Sequence, residues 1–400
     1  MSAFLTLSAI AAPAPATTDH LGSRGWRALA TGVTLVATGA LPGFLAAALA
    51  PRIRDDFPFS SSSLGVAAAV FYVVSMVLST PLGRVVERIG AVAGLRASAG
   101  LTALVCLAVA ALADSAAGLI AILGLAGVGN ALASPAVSAA LKHEIAPPRQ
   151  GLAFGSQQAG ASLGAFLAGL SLPAVAIPFG WRWAYVGVAA IALAAAAAAP
   201  RHIPRPTPGK RGRPPKGLGV VHAIGLTAFF ASAASVGFIS FLVTYSVEKG
   251  IDEGQAGVLL AVVSLCAAIS RIGLGAVADR AGQDALRPVP AMFLVSACAY
   301  LLLIVGEPVL IVVAALLAGS FGWAWPGALN LAVVQHSPQA PAWAVGVMLA
   351  GLFAGAVAGP LTLGVLGDAG HFTAGWVLCA TFALLATVTV VAVRRAGYRS

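Results

Sequence analysis

Long stretches without a single charge constrain this chain more than any other feature. Residues 28–50, 98–113, 183–199, 288–305 and 373–393 contain no Asp, Glu, Lys or Arg. A helix rises about 1.5 Å per residue, so about 20 apolar residues match the hydrocarbon thickness of a bilayer. A soluble core cannot hide this much apolar surface. Of the 400 residues, 59% are hydrophobic and 9% are charged, and mean hydropathy is +0.94. Lipid has to cover the remainder.

Reading run by run gives twelve spans, at 28–50, 62–82, 93–113, 116–141, 152–174, 183–200, 221–245, 256–276, 288–305, 308–334, 343–366 and 373–393. The turns "ADSA" and "GEP" join spans 3–4 and 9–10 and are too short for anything but antiparallel neighbours. The expected fold is an all-α membrane protein with twelve transmembrane helices.

The net charge of +10 follows the spans. With the N-terminus in the cytoplasm and the loops assigned alternately, 19 Lys/Arg fall inside. Only Arg52, Arg54, Arg182 and Lys249 fall outside, together with eight of the 13 acids. This is the positive-inside pattern. It predicts a multi-pass protein of the inner (cytoplasmic) membrane with both termini cytoplasmic. The basic balance thus sets orientation and membrane-lipid contact, and no nucleic-acid partner is expected. Residues 1–20 hold a short apolar run and "APA" but no basic n-region, so they read as a tail rather than a signal. Cys106, Cys266, Cys298 and Cys379 all lie in apolar spans with no paired spacing, as small packing residues would.

The polar stretch 200–217, "PRHIPRPTPGKRGRPPKG", cannot pack as a helix or strand and divides the spans six and six. This gives a tail over 1–27, a six-helix bundle over 28–200, a basic linker over 201–217, a second bundle over 218–395 and a tail over 396–400. The halves echo each other. "LGV" at 64–66 answers "AGV" at 256–258, and "GF" at 43–44 answers "GF" at 237–238. Gly155, Ala159, Gly160 and Gly164 match Gly346, Ala350, Gly351 and Gly355 at a constant offset of 191. "LGRVVERIG" at 82–90 returns as "LGAVADRAG" at 274–282. Ordered offsets of this kind indicate an internal duplication, hence two pseudo-symmetric bundles.

The repeated phrase, carried by Gly83, Glu87, Arg88 and Gly90 and again by Gly275, Asp279, Arg280 and Gly282, resembles the loop signature of the major facilitator superfamily. The resemblance covers residues 28–395. It implies a monomeric secondary transporter in which Glu87 and Asp279, with Arg88 and Arg280, act as a latch between the halves on the cytoplasmic side. Gly83 and Gly275 would admit a close helix. The usual basic residues after the phrase are missing here, where "AVAG" and "QDAL" follow. The alternative for these charges is simple topology at helix ends.

No acid stands at the centre of any span, which argues against the simplest proton-antiport scheme. Leu123 occupies the place of the span-4 Arg of proton-coupled drug exporters, and their span-5 Gly-Pro phrase is absent, so drug export is the second choice. Uniport, or symport in which an anionic substrate brings the proton, remains open. Candidate cavity-lining residues are Tyr72, Asn130, Gln157, Gln158, Trp323, Trp325 and Asn330, with interhelical hydrogen bonding as the alternative. Pro326 beside Gly327 is a candidate break in span 10. Arg271, a basic residue inside span 8 near its inner end, either snorkels for topology or attracts an anion. "QQAG" in span 5 and "GWAWPG" in span 10 resemble the cyanate and nitroimidazole permease-like branch, which implies a small organic or inorganic anion. No Walker-type loop and no cluster of His, Asp or Glu at one membrane face is present, so no cofactor, no metal and no enzyme or receptor role is expected.

Overall fold

The computed structural model describes residues 23–145, 150–199, 218–281, 286–337 and 341–397. The predicted tail over 1–20, the linker over 201–217 and Gly282 lie outside these residues. So do the side chains of Gly275, Asp279 and Arg280.

The described residues are helical, with no strand among them. The first half runs through α1 (Ser23–Ala48), the short α2 (Ala50–Asp56), α3 (Ser61–Ile89), α4 (Ala91–Leu112) and α5 (Ala116–Glu144). It continues through α6 (Gln150–Ser171), a π-turn at Leu172–Ala176, α7 (Ile177–Phe179) and α8 (Trp181–Ala198). The second half comprises α9 (Leu218–Glu248), α10 (Glu253–Ala281), α11 (Val289–Leu302), α12 (Pro308–Gly322), α13 (Pro326–His336), α14 (Pro341–Asp368) and α15 (Phe372–Gly397). Eleven of these rods are long and apolar enough to cross a membrane, and the shorter Val289–Val305 makes a twelfth apolar rod. The chain is therefore a multi-pass membrane protein.

Local chemistry sets the ends. Ser60 caps α3 by accepting from the Ser63 amide at 3.1 Å, and Ser115 caps α5 by accepting from Gly118 at 3.2 Å. Gly90 closes α3 with φ of 93°, a backbone state that a side chain would strain. This is one physical reason for a Gly at the end of the repeated phrase. The break in span 10 falls at Trp323–Trp325, and Pro326 then opens α13. Pro at the first helical position lacks only an N–H that would be unpaired anyway.

Repeated glycines do equivalent jobs in the two halves. Gly160 and Gly164 of α6 lie over the Val33 and Ala37 carbonyls of α1, where added Cβ atoms would stand 2.9 and 2.7 Å away. Gly351 and Gly355 of α14 lie over the Gly225 and Phe229 carbonyls of α9. The supporting carbonyls are 192 residues apart, one more than the glycines themselves. In lipid, where apolar faces gain nothing by meeting, such close backbone approach supplies the van der Waals contact that holds helices together. The two halves meet chiefly where α3 crosses α14 and where α6 crosses α10.

Candidate substrate site between the halves

Arg271 sits in α10, about ten residues from the end of the helix and well inside the bundle. It is 7% exposed, so it does not snorkel to water. Its Nε donates to the Trp323 carbonyl oxygen at 2.7 Å, and its Nη1 donates to the Gln158 carbonyl oxygen at 2.6 Å. The first acceptor is available because α12 ends at Gly322, so that carbonyl lies in the irregular turn before α13. The second lies on α6 of the other half. The guanidinium also lies over the Trp323 ring, 4.9 Å from its centre. Among the described residues none of the ion pairs involves Arg271.

Aromatic side chains from both halves extend from this centre. Trp323, buried, meets Phe44 of α1 edge-on at 5.7 Å between ring centres. Tyr72 of α3 packs against Phe353 of α14, with 6.4 Å between ring centres. Phe44, Trp323 and Arg271 thus form one run of contacts between the halves, and Tyr72 with Phe353 forms a second aromatic pair across them. The sequence had flagged Arg271, Trp323 and Tyr72. Phe44 and Phe353 were missed because a Phe in an apolar span carries no polar signal.

The other candidates separate by environment. Gln157 is buried and fully engaged with α5. Its Nε2 donates to the Ser134 carbonyl oxygen at 3.2 Å and to Ser138 Oγ at 3.1 Å, and its Oε1 lies 3.2 Å from the same hydroxyl. Asn130 donates to Ser75 Oγ at 3.1 Å, and Ser75 in turn donates to the Gly127 carbonyl oxygen at 3.1 Å. These are bonds within the first half. Gln158 contributes its carbonyl to Arg271. Trp325 turns away into the second half, 6.5 Å from Phe293, and its Nε1 has no hydrogen-bond partner among the described residues. Asn330 Oδ1 is likewise buried without one.

The architecture has a known match. The family model for the major facilitator superfamily matches residues 28–282 and, a second time, 224–399. The chain belongs to the major facilitator superfamily. Among solved structures, a bacterial homolog of the human lysosomal transporter Spinster, inward-facing and occupied, superposes with a TM-score of 0.74 at 16% identity. That match covers 92% of this chain and 96% of that one. The unoccupied inward-facing form gives 0.68 at 15% identity over 93% and 96%. The transporter FucP in its outward conformation gives 0.63 at 16% identity over 91% and 98%. No curated protein matches the sequence.

In this superfamily member the two ends of the bundle differ. Among the described residues, only Pro135 of α5 comes near the Cβ position of Gly83 of α3, at 3.9 Å. Glu87 and Arg88 are exposed and form no ion pair among the described residues. At the other end, beside α2, charges pair across the halves. Arg52 Nε lies 2.8 Å from Glu253 Oε2. Arg54, held by the Phe59 carbonyl oxygen at 2.8 Å, faces Asp368 and Glu248. Burial lowers the Arg54 pKa, and those two acids oppose the shift.

Proposed function

We propose that this chain is a secondary transporter that carries a small anion across the cytoplasmic membrane. The anion would bind at Arg271 between the two halves, which rock to expose the site to either side. One observation carries the reading: a buried guanidinium, placed between the halves, has no carboxylate partner among the described residues. Two carbonyls satisfy part of its hydrogen-bonding capacity and a ring face meets it by a cation–π contact, but no anion among the described residues neutralises its charge. Burying an unpaired cation costs several kcal/mol, and such residues inside membranes generally mark a substrate or ion pathway. An anionic substrate supplies the missing charge.

The walls favour a compact anion with a flat body, such as a small carboxylate or cyanate. Trp323, whose ring lies beneath Arg271, and Phe44 beside it offer ring faces and edges rather than a dense set of hydrogen-bond groups. A coupled proton would travel with the anion, since no span carries a central acid to hold it. With the termini cytoplasmic, the α2 end faces outward and the exposed repeated phrase faces the cytoplasm. The protein would act as a monomer, with its substrate path inside a single chain.

The test is ligand-dependent stability of the purified protein. A panel of small carboxylates, cyanate and neutral analogues is scanned by thermal unfolding, because a ligand bound only by the folded state raises Tm with its concentration. At least one anion raises the Tm of the wild type and leaves Arg271→Ala unmoved, while neutral analogues do nothing. Stabilisation by lipophilic cations, equal in both proteins, would move the reading to drug export.

A further inference from the structure

The fold treats the adjacent glutamines of α6 differently. Gly160 and Gly164 of this helix lie over α1, whereas Gly169 lies over Gly257 and Ala261 of α10. Successive helical residues turn by about 100°. Gln158 precedes Gly169 by eleven residues, so it falls within about 20° of the face that meets α10, opposite the face that meets α1. Gln157 lies about a quarter-turn away, where Ser134 and Ser138 of α5 engage its amide. Gln158 is half-buried, and its side-chain amide has no hydrogen-bond partner among the described residues. Gly155, one turn earlier, has nothing within 4 Å of its Cβ position, so open space lies beside this part of α6. An unpaired amide at membrane depth is costly unless it meets water or a polar ligand.

Arg271 narrows what that ligand is. Its Nε gives its only N–H to the Trp323 carbonyl, and its Nη1 gives one to the Gln158 carbonyl. The other Nη1 donor and both donors of Nη2 have no partner among the described residues. A carboxylate takes such donors in pairs. The Gln158 amide belongs to the residue whose carbonyl touches the guanidinium, so it is tethered within one side-chain length of that carboxylate. Packing alone does not call for an amide there. The equivalent position of the second half is Leu349, 191 residues on and also half-buried. Gly346, the counterpart of Gly155, likewise has nothing within 4 Å of its Cβ position. The duplicated crossing is thus built with a leucine where its partner helix carries Ser79 instead of a cation.

We propose that Gln158 determines specificity at the Arg271 site, its amide reading a hydroxyl or oxo group on the carbon next to the carboxylate of the transported anion. The substrate is then a small hydroxy or oxo acid rather than cyanate or an unsubstituted carboxylate. A hydroxyl both donates to and accepts from the amide, and an oxo oxygen accepts from its NH₂ group. An anion lacking that group leaves the amide unmet and binds more weakly. This rests on the reading that an anion binds Arg271, and adds to it which anion.

Thermal unfolding of the purified full chain tests it. Titration with lactate, pyruvate, propionate, their longer homologues and cyanate gives an apparent Kd for each. The wild type is expected to bind lactate or pyruvate, or a homologue of one, about tenfold or more tighter than the unsubstituted acid of the same length, and cyanate no better than that acid. Gln158→Leu, which copies the residue at the twin position, binds the unsubstituted acid as the wild type does and loses the preference to within about twofold. Gln158→Met keeps the length of the side chain without its amide and carries the same test if the leucine variant does not fold. A wild type that binds propionate and cyanate as tightly as the substituted acids overturns the inference and leaves the anion reading standing. So does a preference that persists in a folded Gln158 variant. Binding of none of these anions by the wild type would fail the anion reading itself, and this inference with it.

Discussion

The crossing of α6 with α10 and the crossing of α3 with α14 come from the same ancestral contact, yet only one carries charge into the membrane. Arg271 and Gln158 meet at the first. Ser79 and Leu349 occupy the equivalent positions at the second, and Ser79 turns its hydroxyl back to the Ser75 carbonyl of its own helix. The close glycine contact toward the α2 end, at Gly65 and at Gly257, survives in both. Close packing thus recurs in both copies, whereas the proposed binding chemistry lies in one. A guanidinium at both crossings would put two buried cations in one space, at a cost no single anion could offset.

The largest expected effect breaks the charged crossing. Arg271→Ala leaves the Trp323 and Gln158 carbonyls unbridged and removes the charge. It lowers kcat/KM for the transported anion by about a hundredfold or more, as expected when one partner of a buried ion pair is lost. Arg271→Lys retains the charge but loses the planar fork, and kcat/KM falls by about tenfold. Initial-rate uptake at several concentrations measures both.

The shared packing breaks next. Gly164→Val and Gly355→Val each force a side chain into a backbone–backbone contact within one half. Each destabilises by about 1–3 kcal/mol, and the matched positions predict losses of like size. Thermal unfolding in detergent compares them, and a loss confined to one would break the equivalence of the halves.

The two indoles sharpen the assignment. Trp323→Leu removes the ring beneath Arg271 and raises KM about fivefold to tenfold, the worth of a buried cation–π contact. Trp325→Leu disturbs the core around Phe293, lowering Tm and leaving KM within about twofold. A reversed pattern would relocate the site. The smallest effect belongs to the Arg52–Glu253 pair, which is partly exposed. Glu253→Gln changes stability by less than about 1 kcal/mol, and a larger loss would make that pair a structural anchor between the halves.

The sequence was legible where physics acts through composition and repetition. Charge-free runs fixed the helices, and constant offsets exposed the duplication down to Gly160, Gly164, Gly351 and Gly355. "LGV" and "AGV" held two close contacts between the halves in plain sight, but a glycine reports close approach only once its partner is known, and Pro360 lies nearly 300 residues from Gly65. Arg271 stood out as a cation in an apolar span. Its burial did not, because whether a helix face meets lipid or the other half is a tertiary fact. Gln157 and Asn130 show the converse: their amides promised a cavity, and the fold brought serines of neighbouring helices to them. Asp368 read as a loop charge, since its capping of the Ser61 and Ser62 amides of α3 from the other half leaves no local pattern. The π-turn at Leu172–Ala176 was also invisible, because Pro173 alone does not specify one.

Uptake into proteoliposomes tests the central claim most directly. Labelled small carboxylates and cyanate are offered with and without an inward proton gradient to wild type, Arg271→Lys and Arg271→Ala. The account predicts uptake of at least one anion by the wild type, reduced uptake by Arg271→Lys and none by Arg271→Ala, with folding intact in all three. Anion uptake that persists undiminished in folded Arg271→Ala would contradict it.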